Sequence, residues 1–468
     1  MKNSAPFSLP AWRILGGALA CAAVTLLSPS ARAVNYYWDD TTATDGTSTA
    51  PTGTWGTDAF FNTSATGAST GTFITAPTTA DLVQFVARGT TDTTSGSGAY
   101  TVTVGGTQNA LGLVFRQTGT ITLGGATAGT GTINLGANGI NNAVRDIGGT
   151  ANNSGGVIIN ANLVLQAAQT WSTSNTTASQ PAFTIAGNTT GTGDLTLTNG
   201  SNRAFTVNGG LNHTGLLLVT GGNGNGTVTI NGSTDTAGGI GATVNGLTLN
   251  GSAANRLLLT RAAGNSYTGT TTITQGKLQI TNTSGSATGT SSVALSGGST
   301  AATLGGTGFS TGILSVTAGS RLAPGAVGNA SNFGSVGTLT VGAATLTSAN
   351  LDFDLASTAA AASNDRLTST GLVTLGNVVF NFQSIGGTVS LSTTTPYTLI
   401  VGTDINTTNA NFTTNFNGAL AGLYTASYSV VANSLQVNFA AVPEPSTWAC
   451  LALGVGWLGL VVARRRTA

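Results

Sequence analysis

From about residue 100 onward the chain alternates apolar and polar residues in short runs, and this two-residue period constrains its folding more than any other feature. Thr101-Val102-Thr103-Val104, Thr132-Ile133-Asn134-Leu135, Asp194-Leu195-Thr196-Leu197, Thr227-Val228-Thr229-Ile230 and Leu247-Thr248-Leu249 each give a strand one apolar and one polar face. Many runs end in the same corner: Thr198-Asn199-Gly200-Ser201, Val207-Asn208-Gly209-Gly210, Ile230-Asn231-Gly232-Ser233 and Leu249-Asn250-Gly251-Ser252. Asn and Gly tolerate positive φ, so these corners read as turns.

Two architectures share that pattern. Asn-Gly between alternating strands is a hairpin signal, which fits antiparallel sandwiches or barrels. A parallel β-helix instead stacks like corners between successive coils. Near-uniform repeats over hundreds of residues, with no helical periodicity, favour an all-β solenoid of the parallel β-helix kind. Coils of about 20 to 25 residues, stacked about 4.8 Å apart, would make a rod of about 80 to 95 Å from residues 34–442. Its end strands need caps against end-to-end pairing. Tyr36, Tyr37, Trp38, Trp55, Phe60 and Phe61 form the densest aromatic group of the body and read as the N-terminal cap, within a capping region at 34–100 ahead of a repeat region at 101–440. Carbohydrate stacking is the alternative use of those rings.

Composition decides whether such a chain has a core. Only 6% of its residues are charged and 68 are glycine, yet 40% are hydrophobic and the mean hydropathy is +0.21. Disorder needs low hydropathy or high net charge, and the net charge is +1. Residues 34–442 carry nine basic and thirteen acidic side chains with no basic stripe, so nucleic acid is not an expected partner. Cys21 and Cys450 both fall outside this body, which leaves it without thiol chemistry.

The two ends read as addresses. Lys2 and Arg13 precede an apolar run from Ile14 to Leu27, and Ala31-Arg32-Ala33 supplies the small-x-small site of a signal peptidase. Export through the general secretion machinery and a mature start at Val34 are expected. At the other end stand Pro443-Glu444-Pro445, an apolar run from Thr447 to Ala463, and Arg464-Arg465-Arg466. A helix over 447–463 would rise about 25 Å, enough for one thin membrane span, and the three arginines would hold its end in the cytoplasm. Residues 441–468 in this order resemble a PEP-CTERM sorting signal. The resemblance implies recognition and cleavage near Pro-Glu-Pro by an exosortase, with a permanent single-span anchor as the alternative.

One internal segment resembles a second family. Gly264-Asn265-Ser266-Tyr267-Thr268-Gly269-Thr270-Thr271-Thr272-Ile273-Thr274-Gln275-Gly276-Lys277-Leu278-Gln279-Ile280 is similar to the autotransporter-associated β-strand repeat, a Tyr-Thr-Gly-x-Thr core followed by strand, Gly turn and strand. Leu304-Gly305-Gly306-Thr307-Gly308, Arg321-Leu322-Ala323-Pro324-Gly325, Gly337-Thr338-Leu339-Thr340-Val341 and Asn364-Asp365-Arg366-Leu367 follow in the order seen downstream of that repeat, over residues 305–380. The resemblance implies a right-handed parallel β-helix of the passenger type. A C-terminal translocator barrel does not follow; the helix and arginines stand in its place, so another route across an outer membrane is implied.

Catalytic chemistry has little to draw on. His213 is the single histidine and Glu444 the single glutamate, which leaves acid–base work to aspartates. His213 sits in Leu211-Asn212-His213-Thr214-Gly215 and reads as an exposed loop residue. Asp352 and Asp354, two apart on one strand, read as a solvated face opposite buried Leu351, Phe353 and Leu355; with Asp365 they are weak candidates for Ca²⁺ ligands. No catalytic residue and no cofactor is expected. The sequence points to a structural or adhesive protein of the cell surface or an exopolysaccharide matrix, against a β-helix polysaccharide lyase or hydrolase, or a glycan-binding module.

Overall fold

A computed structural model describes residues 33–40, 51–64, 71–85, 99–116, 119–143, 156–174, 182–200, 204–221, 226–232, 239–297, 302–317, 319–328, 333–385, 390–443, 453–457 and 465. The expected signal segment and Ala31 lie outside these residues. The chain separates into units Met1–Arg32 and Ala33–Ala468, and all the described residues belong to the second.

Strands dominate, and their sheets are long and parallel. In one ladder Gly53–Trp55, Tyr100–Val104, Ile121–Leu123, Val157–Ile159, Phe183–Ile185, Ala204–Val207, Thr227–Ile230 and Arg256–Leu259 are successive parallel neighbours. The end of Thr271–Ile280 continues it, followed by Ala302–Gly306, Arg321–Pro324, Ala349–Leu355, Asn377–Ser384 and Asn411–Phe416. A second ladder rises beside it from Asn35–Trp38, through Leu195–Asn199, Gly215–Gly221 and Val244–Asn250, to Leu372–Leu375 and Asp404–Asn406. A third, shorter sheet runs Phe309–Ser310, Thr338–Val341, Arg366–Ser369, Tyr397–Val401. Parallel pairing thus prevails over the hairpin reading of the Asn-Gly corners. Antiparallel pairs occur at Asn35–Trp38 with Phe61–Asn62, at Phe61–Asn62 with Phe73–Ile74, and in the hairpin of Tyr424–Val431 and Ser434–Ala441 that adjoins Tyr397–Val401.

The returns are less uniform than expected. Residues paired in parallel are separated by as few as 18 positions, Thr303 to Arg321, and as many as 49, Gly53 to Val102. The first ladder therefore takes thirteen steps, about 62 Å at about 4.8 Å each, which is shorter than the expected 80 to 95 Å. The ladder also starts at Gly53, inside the segment read as a capping region.

Alternation becomes a core because every second side chain points inward at the same height on each return. Leu123, Ile159, Ile185, Val207, Ile230, Leu259 and Ile280 form one buried row. Leu197, Val219, Leu249, Ile273, Leu295, Val316, Leu346 and Leu375 form another. Each such side chain contributes about 1.5 to 3 kcal/mol by leaving water.

The Tyr-Thr-Gly-x-Thr segment is where one strand serves both ladders. Thr271–Ile273 pairs in the second ladder and Gly276–Ile280 in the first, with Gly276 at φ +100° making the bend. Thr271 breaks the apolar row, and the Tyr267 hydroxyl, fully buried, lies 2.6 Å from its Oγ1. Gly269 passes so close to the Asn245 carbonyl that a Cβ would stand 1.6 Å from the oxygen. The motif is a device for burying a threonine beside a close backbone crossing.

At the corners the expected positive φ is found at Gly232, but Gly209 and Gly251 do not adopt it. Their role is room. A Cβ on Gly209 would meet the Gly187 carbonyl oxygen at 2.0 Å, and one on Gly187 would meet that of Ala161 at 1.9 Å. Corner asparagines stack as well, with Asn231 Nδ2 donating to Asn208 Oδ1 at 2.7 Å.

The N-terminal rings are interior. Trp38, Trp55 and Phe61 are fully buried, with Phe61 edge-on to both tryptophans at 4.9 and 5.1 Å. Tyr36 and Phe60 pack against that cluster from partly exposed positions.

Candidate functional site

Six ionisable side chains, a large share in so uncharged a chain, gather on the outer face of the first ladder. Register places Arg256 beside Lys277, Lys277 beside Thr303, and Thr303 beside Arg321. Asp352 and Asp354 occupy the next strand, and Asp365 follows it. Residues 325–328 and 333–337 lie across this face. Arg256 Nη1 donates to the Val327 carbonyl and Lys277 Nζ to that of Gly328, each at 2.9 Å. From the other side, the Gly334 amide donates to Asp354 Oδ2 at 2.6 Å and the Gly337 amide to Asp365 Oδ1 at 2.7 Å.

This covering segment overturns the reading of Asp352 and Asp354 as a solvated face. Both are buried, as are Leu351, Phe353 and Leu355, so the strand is enclosed on two sides. Each carboxylate has a structural task. Asp352 takes both oxygens to Arg321, at 2.8 and 3.0 Å, and accepts from Asn381 Nδ2 at 2.7 Å. Asp365 accepts from the amides of Gly337 and Asp354 on its two oxygens. A Ca²⁺ site needs oxygens free to converge on one point; these are committed to different backbone and side-chain donors. Among the described residues no group of three or more His, Cys, Asp or Glu is placed to hold a metal.

Burial sets the protonation of the cluster. It raises the Asp365 carboxyl to about 8 against its two amide bonds, helped by the neighbouring Asp354 and Asp352. Asp354 is raised for the same reason, and burial lowers Lys277. Lys277, Arg321 and Asn381 carry no local sign in the sequence of being partners to these aspartates, because the strands that align them are separated by up to 104 positions. Three glycines at 325, 334 and 337 are the one available hint that chain passes close to that sheet.

His213 is also buried rather than exposed. Its Nδ1 donates to the Gly193 carbonyl at 3.1 Å, Nε2 is buried with no hydrogen-bond partner, and burial lowers its pKa. One nitrogen is thus tied and the other enclosed.

The other candidate site is the exit from the body. Ser434–Ala441 is the last strand among the described residues, the Val442 amide donates to the Leu423 carbonyl at 2.8 Å, and Val442 and Pro443 are exposed. Glu444, Pro445, Arg464 and Arg466 lie outside the described residues. Residues 453–457 are helical, with Leu453, Val455 and Trp457 each about two thirds or more exposed, at 68%, 67% and 75%. Of the expected span at 447–463 only this turn is described, and among the described residues no helix is long and apolar enough to cross a membrane. Arg465 is helical.

An all-β body of long parallel sheets leads, after Ser434–Ala441, into an exposed proline and then an apolar sequence. The chain carries a PEP-CTERM protein-sorting motif at residues 441–466. The motif indicates an exported protein, recognised by an exosortase and passed through a membrane-anchored intermediate to the cell surface. No curated protein matches the chain.

Proposed function

We propose that the protein is a non-enzymatic structural or adhesive element of the cell surface or an exopolysaccharide matrix, and that its body is a right-handed parallel β-helix. The signal peptide at residues 1–33 is removed on export, and exosortase processing near Pro443 to Pro445 follows. The observation that carries this reading is the pair of parallel ladders that run through the body, followed by a closing hairpin that leads into the sorting motif.

The chemistry of the body supports a scaffold over an enzyme. Its buried aspartates hold backbone amides and an arginine, and its histidine is enclosed. Glycan stacking through Trp38 and Trp55 loses its basis, since neither ring is exposed.

The mass of the protein recovered from the cell surface tests delivery. Loss of both ends, near Ala33 and near Pro445, is the expected result, and an intact C-terminus would favour the permanent anchor. Incubating the same material with neutral and acidic polysaccharides tests the chemistry. Chain cleavage that vanishes in Asp352→Asn, Asp354→Asn or Asp365→Asn would end the scaffold reading.

A further inference from the structure

The two ends of the parallel stack are finished differently. At the N-terminal end the first strand of each ladder is occupied. The Thr54 amide in Gly53–Trp55 donates to Asp58 Oδ2 at 2.7 Å, and Asn35–Trp38 is covered by Phe61–Asn62, itself paired with Phe73–Ile74. At the C-terminal end the hairpin of Tyr424–Val431 and Ser434–Ala441 closes the core: the Tyr428 ring stacks on Phe380 at 4.7 Å and its hydroxyl lies 2.7 Å from Thr414 Oγ1.

The closing hairpin leaves an edge of its own. Tyr424–Val431 is the marginal strand of its six-stranded sheet and pairs with Ser434–Ala441 on one side. It is eight residues long and regular in register, and it contains no charge, no proline and no glycine. Proteins that keep such edges solitary place a lysine, a proline, a bulge or an inward charge there, and this strand has none of them. Thr425, Ser427, Ser429, Val430 and Val431 are exposed along it.

We propose that this edge pairs antiparallel with the same strand of a second copy of the chain, joining two molecules at their C-terminal ends. The strand is self-complementary about Tyr428: a two-fold axis there sets Ser427 opposite Ser429, Ala426 opposite Val430 and Thr425 opposite Val431, with each exposed face continuing across the junction. Uncharged residues meet uncharged residues at every position. The geometry of the exit agrees. The Val442 amide is bonded to the Leu423 carbonyl, beside the start of this strand, so in such a pair one tail leaves at each end of the junction and neither crosses it. The inference does not depend on an adhesive or matrix role.

Disulfide trapping tests it in the full chain, with Cys21→Ser and Cys450→Ser as background and differently tagged copies purified in detergent. Mixing Ser427→Cys chains with Ser429→Cys chains is expected to give a mixed disulfide at least tenfold above either variant alone. Thr425→Lys, added to both, is expected to reduce that yield at least tenfold with an unchanged melting temperature. Contact through the apolar tails would cross-link all pairs alike, including a control at exposed Thr283→Cys on another face. Equal yields across pairs, no mixed disulfide, or insensitivity to the lysine would each overturn the proposal.

Discussion

His213 and Asp365 pull stability in opposite directions with pH, each because it is buried. The folded state holds His213 neutral below the ordinary imidazole value, so the unfolded chain takes up a proton first as pH falls below about 6.5, and stability falls with it. Asp365 titrates near 8 folded and near about 3.9 unfolded. The folded state keeps a proton that the unfolded chain has lost, so its stability contribution declines from about pH 4 to about pH 8, by at most about 1.4 kcal/mol per unit. Denaturant unfolding across this range is expected to show the two slopes opposing each other just below 6.5, then a net decline toward 8. Asp365→Asn should flatten the decline, and His213→Gln should start it nearer pH 4. Tyr267→Phe is a third residue-level expectation: loss of the bond to Thr271 should cost about 1 to 2 kcal/mol in the same experiment.

Individual strands were the most legible elements, because a two-residue alternation has one structural meaning. Thr101 to Val104, Thr227 to Ile230 and Leu247 to Leu249 all lie in strands with the expected face inward. The corner residues were legible in place but not in mechanism, since an Asn-Gly pair in sequence does not reveal whether its glycine serves φ or clearance. Gly209→Ala separates the two: a methyl group 2.0 Å from the Gly187 oxygen is expected to destabilise by about 3 kcal/mol, where simple loss of backbone freedom in the unfolded chain would stabilise slightly. Leu249→Ala, in the middle of a buried row, should cost about 2 to 5 kcal/mol by calorimetry or denaturant unfolding. The aspartate cluster was the least legible. Alternation assigned Asp352 and Asp354 correctly to the outer face, but whether that face is wet depends on residues 325–328 and 333–337, whose path no local pattern specifies.

At the scale of the whole molecule, the sorting motif and the all-β body were both readable, because one is contiguous and the other repetitive. Number and height of the turns were not, because the returns vary in length. Delivery can be separated from folding: Glu444→Ala with Pro445→Ala is expected to leave the melting temperature unchanged while the C-terminal segment remains attached, as read by the mass of the surface-extracted protein.

The unequal returns carry a consequence of their own. Forty-nine residues between Gly53 and Val102 lift the chain by a single step, the same gain that Thr303 to Arg321 achieves with eighteen. Extra chain at such a place leaves the reach unaltered. Inserting residues into such a return is therefore expected to leave the height of the ladder as it is, whereas that height changes only when an entire storey is gained or lost.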